Sequence, residues 1–108
     1  MEKLEIRQLN HDEYYKNIDM SGKWVVVSIL NGCKLSEAYP SKELAEIVEK
    51  NLNKIIENIV FLLKIANVKS FSNNEIKRAL SGCLFEDYYI KSCVKFVNAG
   101  VLSKDDLK

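Results

Sequence analysis

The sequence predicts an α+β fold: a small antiparallel sheet, built from an N-terminal strand and an Asn-Gly hairpin, packed against one long helix, with two shorter helices after it. Three observations carry this prediction. Residues 23–30 form a strong β-forming run that meets Asn31-Gly32 and then a second extended run to Tyr39. Residues 42–66 repeat apolar side chains at steps of three and four, as one face of a helix requires. Ser72-Asn73-Asn74-Glu75 reads as a capping box that opens further helical sequence.

In residues 2–9, Leu4 and Ile6 alternate with Glu5 and Arg7, the pattern of a half-buried strand. Asn10 as N-cap with Glu13 three residues later predicts a short helix over 11–18. A turn is expected from Asp19 to Gly22. Asn-Gly between extended runs is the strongest local hairpin signal, because a type I′ turn needs positive φ at both central positions. A two-residue loop would set Leu30 opposite Cys33, Ser28 opposite Leu35, Val26 opposite Glu37 and Trp24 opposite Tyr39. The first of these strands is apolar on both faces, so it should be central, with helices over one side and the other side left for something else to cover.

Pro40 ends the hairpin, and Ser41 can cap the long helix. Its inward positions are expected at Leu44, Ile47, Val48, Leu52, Ile55, Ile59, Leu62 and Ala66. The run Ile59-Val60-Phe61-Leu62-Leu63 is apolar nearly all round and should lie deepest. Further helices are expected over 73–81, with Ile76, Ala79 and Leu80 inward, and over 85–98, with Ile90, Cys93, Val94 and Val97 inward. A turn at Ser81-Gly82-Cys83-Leu84 joins them. Gly100 is placed as a C-cap, Val101 and Leu102 pack back, and a short charged tail follows from Ser103.

The chain has 108 residues, which predicts one domain over 1–108, β-rich over 1–40 and helical over 41–108. Sixteen basic and fifteen acidic residues balance to a charge of +1, so nothing draws the whole molecule to nucleic acid or an anionic membrane. The longest apolar run, residues 59–63, is far short of a bilayer span. Met1-Glu2-Lys3-Leu4-Glu5 has no basic region followed by an apolar stretch, so no signal peptide is expected. Cys33, Cys83 and Cys93 cannot all pair and lie in apolar surroundings. They read as reduced, buried thiols of a cytoplasmic protein.

Enzymatic constellations are sparse. His11 would have to meet a thiol in space to form a nucleophile–base pair. With Cys33, Cys83 and Cys93 it lacks the close ligand pairing of structural zinc sites. No Gly-rich phosphate loop occurs. The adjacent acids Asp12-Glu13, Glu86-Asp87 and Asp105-Asp106 have a ready role at the positive ends of helices. The expectation is therefore no enzyme, no metal and no cofactor. Part of the long helix approaches a heptad seam, which leaves self-association into a homodimer open, although the stripe widens rather than keeping a strict repeat.

Residues 55–103 resemble a winged-helix or helix-turn-helix module. The first helix would end at Ile59 to Ala66, the second would be Ser72 to Leu80, and Gly82 would sit in the joint. The run from Tyr89 to Leu102 is similar to a recognition helix, with Asn98-Ala99-Gly100-Val101-Leu102 as its end. The resemblance implies a binding face made of Tyr88, Lys91, Ser92 and Lys95, with Lys77 and Arg78 on the preceding helix. Lysines would contact phosphates, and Ser and Tyr either backbone or bases. Two features depart from the pattern. Glu86-Asp87 opens the third helix where phosphate would lie, and no wing follows Leu102. Seven basic and five acidic residues from Lys69 to Lys108 make a thin footprint for DNA.

Two functions are therefore expected. The first is a small non-enzymatic binding protein that docks on another protein, such as an adaptor, an accessory protein or an inhibitor of the kind found in phage and mobile-element genomes. The alternative is a helix-turn-helix DNA-binding regulator.

Overall fold

The computed structural model describes residues 3–10, 14–15 and 18–108. It shows an α+β chain with a small antiparallel sheet and three α-helices. Two compact units divide it, Met1–Leu52 and Asn53–Lys108, with the division inside the long helix rather than at Pro40, where the composition changes.

In the first unit, β1 (Leu4–Gln8) pairs antiparallel with β4 (Trp24–Ser28), from Leu4 opposite Ser28 to Gln8 opposite Trp24. The helix expected over 11–18 is not formed. Tyr14–Tyr15 (β2) and Ile18–Asp19 (β3) pair antiparallel instead. Aromatic and β-branched residues favour a ladder over a helix. The proposed capping residue Glu13, with His11, lies outside the described residues. The turn before β4 is as expected. Asp19 Oδ1 accepts from Ser21 N–H at 2.9 Å, Lys23 N–H donates to Met20 C=O at 3.2 Å, and Gly22 takes φ +78°.

The hairpin after β4 differs from the expected two-residue turn. Val27 bridges Lys34, while Trp24 bridges Tyr39. The loop therefore runs over residues 29–32. It is closed by Gly32 N–H donating to Ser28 C=O at 2.9 Å, and Ser28 N–H donates to Cys33 C=O at 2.9 Å. Gly32 has φ +72°, but Asn31 is not among the positive-φ residues, so a type I′ turn is not made. Three steps separate Trp24 from Val27, against five from Lys34 to Tyr39. The second strand thus carries two extra residues as a bulge. Inside it the Val26 N–H finds no carbonyl and donates to Ser36 Oγ at 2.9 Å. The near-turn register is shifted by two from the expected one, and an even shift leaves every side chain on its expected face.

Both faces of β4 are buried. Leu9, Val25 and Val27 form one core cluster, with Met20 and Ala38 packed on it. Leu4, Val26, Ser28 and Leu35 are buried as well. Both sides of this strand are therefore buried, and the expected uncovered side is absent.

Ser41 caps α1 (Lys42–Ile65), its Oγ accepting from Leu44 N–H at 3.3 Å. Lys42 Nζ stands 5.7 Å from the Trp24 ring centroid, a cation–π contact that ties the helix start to β4. Ala45 is buried, but Leu44 and Ile47, expected inward, are exposed. The inward stripe runs through Ala45, Val48 and Leu52. The small alanine, rather than the larger leucine beside it, marks its start.

In the second unit α1 buries Ile56, Ile59 and Leu63, while Phe61 and Ile65 face solvent. The expectation of an all-round buried segment fails at Phe61. It lies two residues from Ile59 and from Leu63, about 200° round the helix from each. α2 (Asn73–Leu80) buries Ile76 and Leu80, and α3 (Glu86–Asn98) buries Cys93 and Phe96. Among the described residues Phe96 is the largest fully buried side chain, and it is not among the expected inward positions.

Two helices close in the same way. After α1, Asn67 takes φ +56° and donates to Lys64 C=O, while Val68 donates to Leu63 C=O. After α3, Gly100 takes φ +75° and donates to Val97 C=O, while Val101 donates to Phe96 C=O. Both are Schellman motifs, and each buries the valine that follows. The expected charged tail is a 3-10 helix, Lys104–Leu107. It is capped reciprocally by Ser103 and Asp106, with Ser103 N–H donating to Asp106 Oδ2 at 2.8 Å.

Candidate functional site

The α2–α3 corner holds the most unusual local structure among the described residues. Ser72 Oγ accepts from Glu75 N–H at 3.3 Å, which is one half of the expected capping box. The Glu75 carboxylate is turned to Arg78 on the next turn instead. At the other end of α2, Cys83 N–H donates to Leu80 C=O at 3.3 Å and Gly82 takes φ +82°. The Gly82 N–H donates to Glu86 Oε2 at 3.4 Å, so the first residue of α3 closes the turn before it.

Phe85 occupies the N-cap of α3 in the left-handed region, φ 63° and ψ 41°, and gives no side-chain cap. N-cap residues normally sit in the β region and accept a hydrogen bond from the first turn. A non-glycine residue in the left-handed region costs roughly 1–2 kcal/mol. That cost is not repaid by burial of the ring, because Phe85 is 69% exposed. Its neighbours Leu84 and Tyr88 are 77% and 53% exposed. Leu84 and Phe85 lie in the turn that leads into α3, and Tyr88 lies in the first turn of that helix. The Tyr88 and Tyr89 ring centroids lie 6.1 Å apart at 56°.

Of the residues the sequence singled out, Lys77, Arg78, Tyr88, Lys91 and Lys95 are exposed and Ser92 is half-buried. Tyr88, Lys91 and Lys95 follow one another at three and four residues and share one face of α3. Lys77 and Arg78 stand on α2, with Arg78 engaged by Glu75. Sequence reasoning did not single out Leu84 and Phe85. The available signal was a large apolar residue, Phe85, just before an acidic helix start, where the N-cap position is usually polar.

The cysteines are free but not uniformly buried. Cys33 is exposed, Cys83 intermediate and Cys93 buried. Cys33 lies beyond the loop, its N–H held by Asn31 Oδ1 at 3.0 Å, so the expectation of a buried thiol fails there. Burial pushes the Cys93 thiol up to about 11. Among the described residues no three His, Cys, Asp or Glu side chains are grouped as a metal ion would need, and no helix is long and apolar enough to cross a membrane. The arrangement can offer an apolar, aromatic corner flanked by lysines.

No family model, no curated protein and no solved structure matches this chain.

Proposed function

We propose that this chain is a non-enzymatic binding module that docks on another protein through the α2–α3 corner. The observation that carries the reading is the exposed set Leu84, Phe85 and Tyr88, with Phe85 held in a costly backbone conformation that turns no bulk into the core. Conformational cost at an exposed aromatic points to use by a partner. Aromatic anchors are the side chains on which interface energy concentrates. Lys77, Arg78, Lys91, Ser92 and Lys95 supply the polar surroundings, so the fitting partner presents an apolar recess edged by acidic groups. An adaptor, an accessory protein or an inhibitor would use such a surface.

A photo-crosslinking residue at Phe85 tests this in the cell that makes the protein. It should give one discrete conjugate, and excess unlabelled chain should compete it away. The same probe at exposed Lys69 should not. Equal labelling at both positions would sink the proposal.

DNA binding is the second reading, favoured by the alignment of Tyr88, Lys91 and Lys95 on one face of α3. Glu86 and Asp87 in the first turn of that helix oppose it by repelling phosphate. Titration of labelled duplex at two salt concentrations separates the readings. A DNA-binding helix would bind at low salt, weaken steeply as salt rises, and lose binding in K91E/K95E. Protein docking predicts no salt-dependent duplex binding.

A further inference from the structure

The exposed face of α1 carries a heptad seam distinct from the stripe that the fold buries. α1 is a single helix from Lys42 to Ile65, so residues spaced three and four apart along it share one face. Leu44, Ile47, Asn51, Lys54, Asn58 and Phe61 follow one another at alternate steps of three and four, and Ile65 continues the series. All seven are exposed, and the four apolar ones stand between 43% and 63% open to solvent. Three and four in alternation over three heptads is the spacing of a coiled-coil seam. One flank of the seam holds Glu43, Lys50, Glu57 and Lys64, seven residues apart and alternating in sign. These four are exposed too, and among the described residues none of them is in an ion pair. The other flank holds Val48, Ile55 and Leu62, each only half-buried.

We propose that the α1 helices of two copies of this chain pair antiparallel along this seam, as a short two-stranded coiled coil with a two-fold axis across its middle. Charges beside a coiled-coil seam set partner and orientation. In an antiparallel pair each helix lays one flank against the same flank of the other, so the four charges face one another. Leu44 opposite Phe61 of the other copy brings Glu43 to Lys64 and Lys50 to Glu57, each twice, and all four contacts are attractive. A slip of one heptad either way sets Lys50 against Lys50 or Glu57 against Glu57, and the remaining charge contacts then join like signs as well. A parallel pair would turn these charges towards Val48, Ile55 and Leu62 and stack Lys54 on Lys54. In the selected register the apolar contacts lie at the two ends, where Leu44 meets Phe61. Lys54 meets Asn51 at the middle, where the ammonium can donate to the amide oxygen. Val48 meets Ile55 on the second flank, which covers the apolar surface left half-open there. Ile47 meets Asn58, a mismatch that keeps the pairing reversible. One patch serves both copies, which is the self-complementarity that a two-fold interface demands.

Sedimentation equilibrium of the full 108-residue chain tests the pairing, combined with zero-length carbodiimide crosslinking mapped by mass spectrometry. The expected result is a reversible dimer in which the crosslinker joins Glu43 to Lys64. Along one helix these residues stand about 31 Å apart, so the bond forms only between copies and only in the antiparallel arrangement. K50E and E57K should each weaken dimerisation roughly tenfold, since two attractive contacts turn repulsive. The double variant K50E/E57K restores opposite charges and should recover association. Circular dichroism on each variant confirms that it is folded. A chain that stays monomeric up to millimolar concentration overturns the proposal. So does a dimer indifferent to these charges, or one that gives no Glu43–Lys64 link.

Discussion

A left-handed residue that is neither glycine nor asparagine marks a position where backbone comfort was given up, and Phe85 is such a residue. Phe85→Gly removes the steric conflict of the side chain with its own backbone, and the ring it deletes is exposed. The expected outcome has two opposite signs: stability unchanged or raised by up to about 1 kcal/mol in denaturant unfolding, with partner binding lost. A purely structural phenylalanine would lose stability instead. Ser36 is the converse case, a small polar residue with a large expected effect. Its Oγ accepts from the Val26 N–H at 2.9 Å and donates to Glu37 C=O at 2.8 Å. Val26 is fully buried, so Ser36→Ala strands its amide inside the protein. The expected loss is about 1–3 kcal/mol by urea unfolding, and less for Ser36→Thr, which keeps the oxygen. A loss no larger than that of an ordinary surface substitution would show that the bulge relaxes around the missing hydroxyl.

At the scale of elements, the two Schellman closures use different residues at the same point. Gly100 meets the left-handed conformation without strain, whereas Asn67 meets it at φ +56°. Asn67→Gly should stabilise the chain by about 0.5–1 kcal/mol, read as a higher thermal midpoint, while Gly100→Asn should do the reverse. Elements of this kind were the most legible part of the fold. Ser41 and Ser72 announced α1 and α2, and the closing glycine announced the end of α3, because a cap is decided by a few neighbouring residues. Legibility failed where the deciding partner was distant. Nothing local in Tyr14–Tyr15 says that it will find Ile18–Asp19 rather than coil. Nothing local in residues 33–39 reveals a bulge, since the extra residues were absorbed to let Tyr39 reach Trp24. The expected α3 stripe holds Cys93 but omits Phe96, while Ile90, Val94 and Val97 are half-buried. Cys93 is buried as expected, but Phe96 rather than Val97 completes its fully buried face. In the candidate site, the charged face of α3 could be read from spacing. The Leu84 and Phe85 corner could not, because an exposed apolar pair in a turn looks in sequence like one that packs.

On the scale of the whole molecule, the balanced charge of +1 leaves association to local surfaces rather than to a long-range field. Stability as a function of pH is a global readout that one buried group should shape. The folded protein holds the Cys93 thiol protonated up to about 11, against 9.0 for the free side chain. Below pH 9 both states carry the proton and no stability depends on it. Between pH 9 and 11 the unfolded chain loses the proton while the folded chain keeps it, so stability falls as pH rises. The fall is on the order of 2 kcal/mol from this group. Cys93→Ala should flatten that stretch of the profile relative to the wild-type chain. Its absolute stability is not the readout, since the smaller side chain also leaves a void.

The loop at Asn31-Gly32 has one more consequence, on the timescale of storage rather than of folding. An asparagine followed by glycine ages when the next amide nitrogen attacks the side-chain carbonyl and ammonia leaves. Both reactants are occupied here: Gly32 N–H is held by Ser28 C=O at 2.9 Å, and Asn31 Oδ1 is held by Cys33 N–H at 3.0 Å. Deamidation at Asn31 should therefore run slowly while the loop is closed and quickly once it opens. The slow gain of acidic forms in an ageing sample, followed by mass spectrometry, would then act as a chemical clock that counts openings of this one loop.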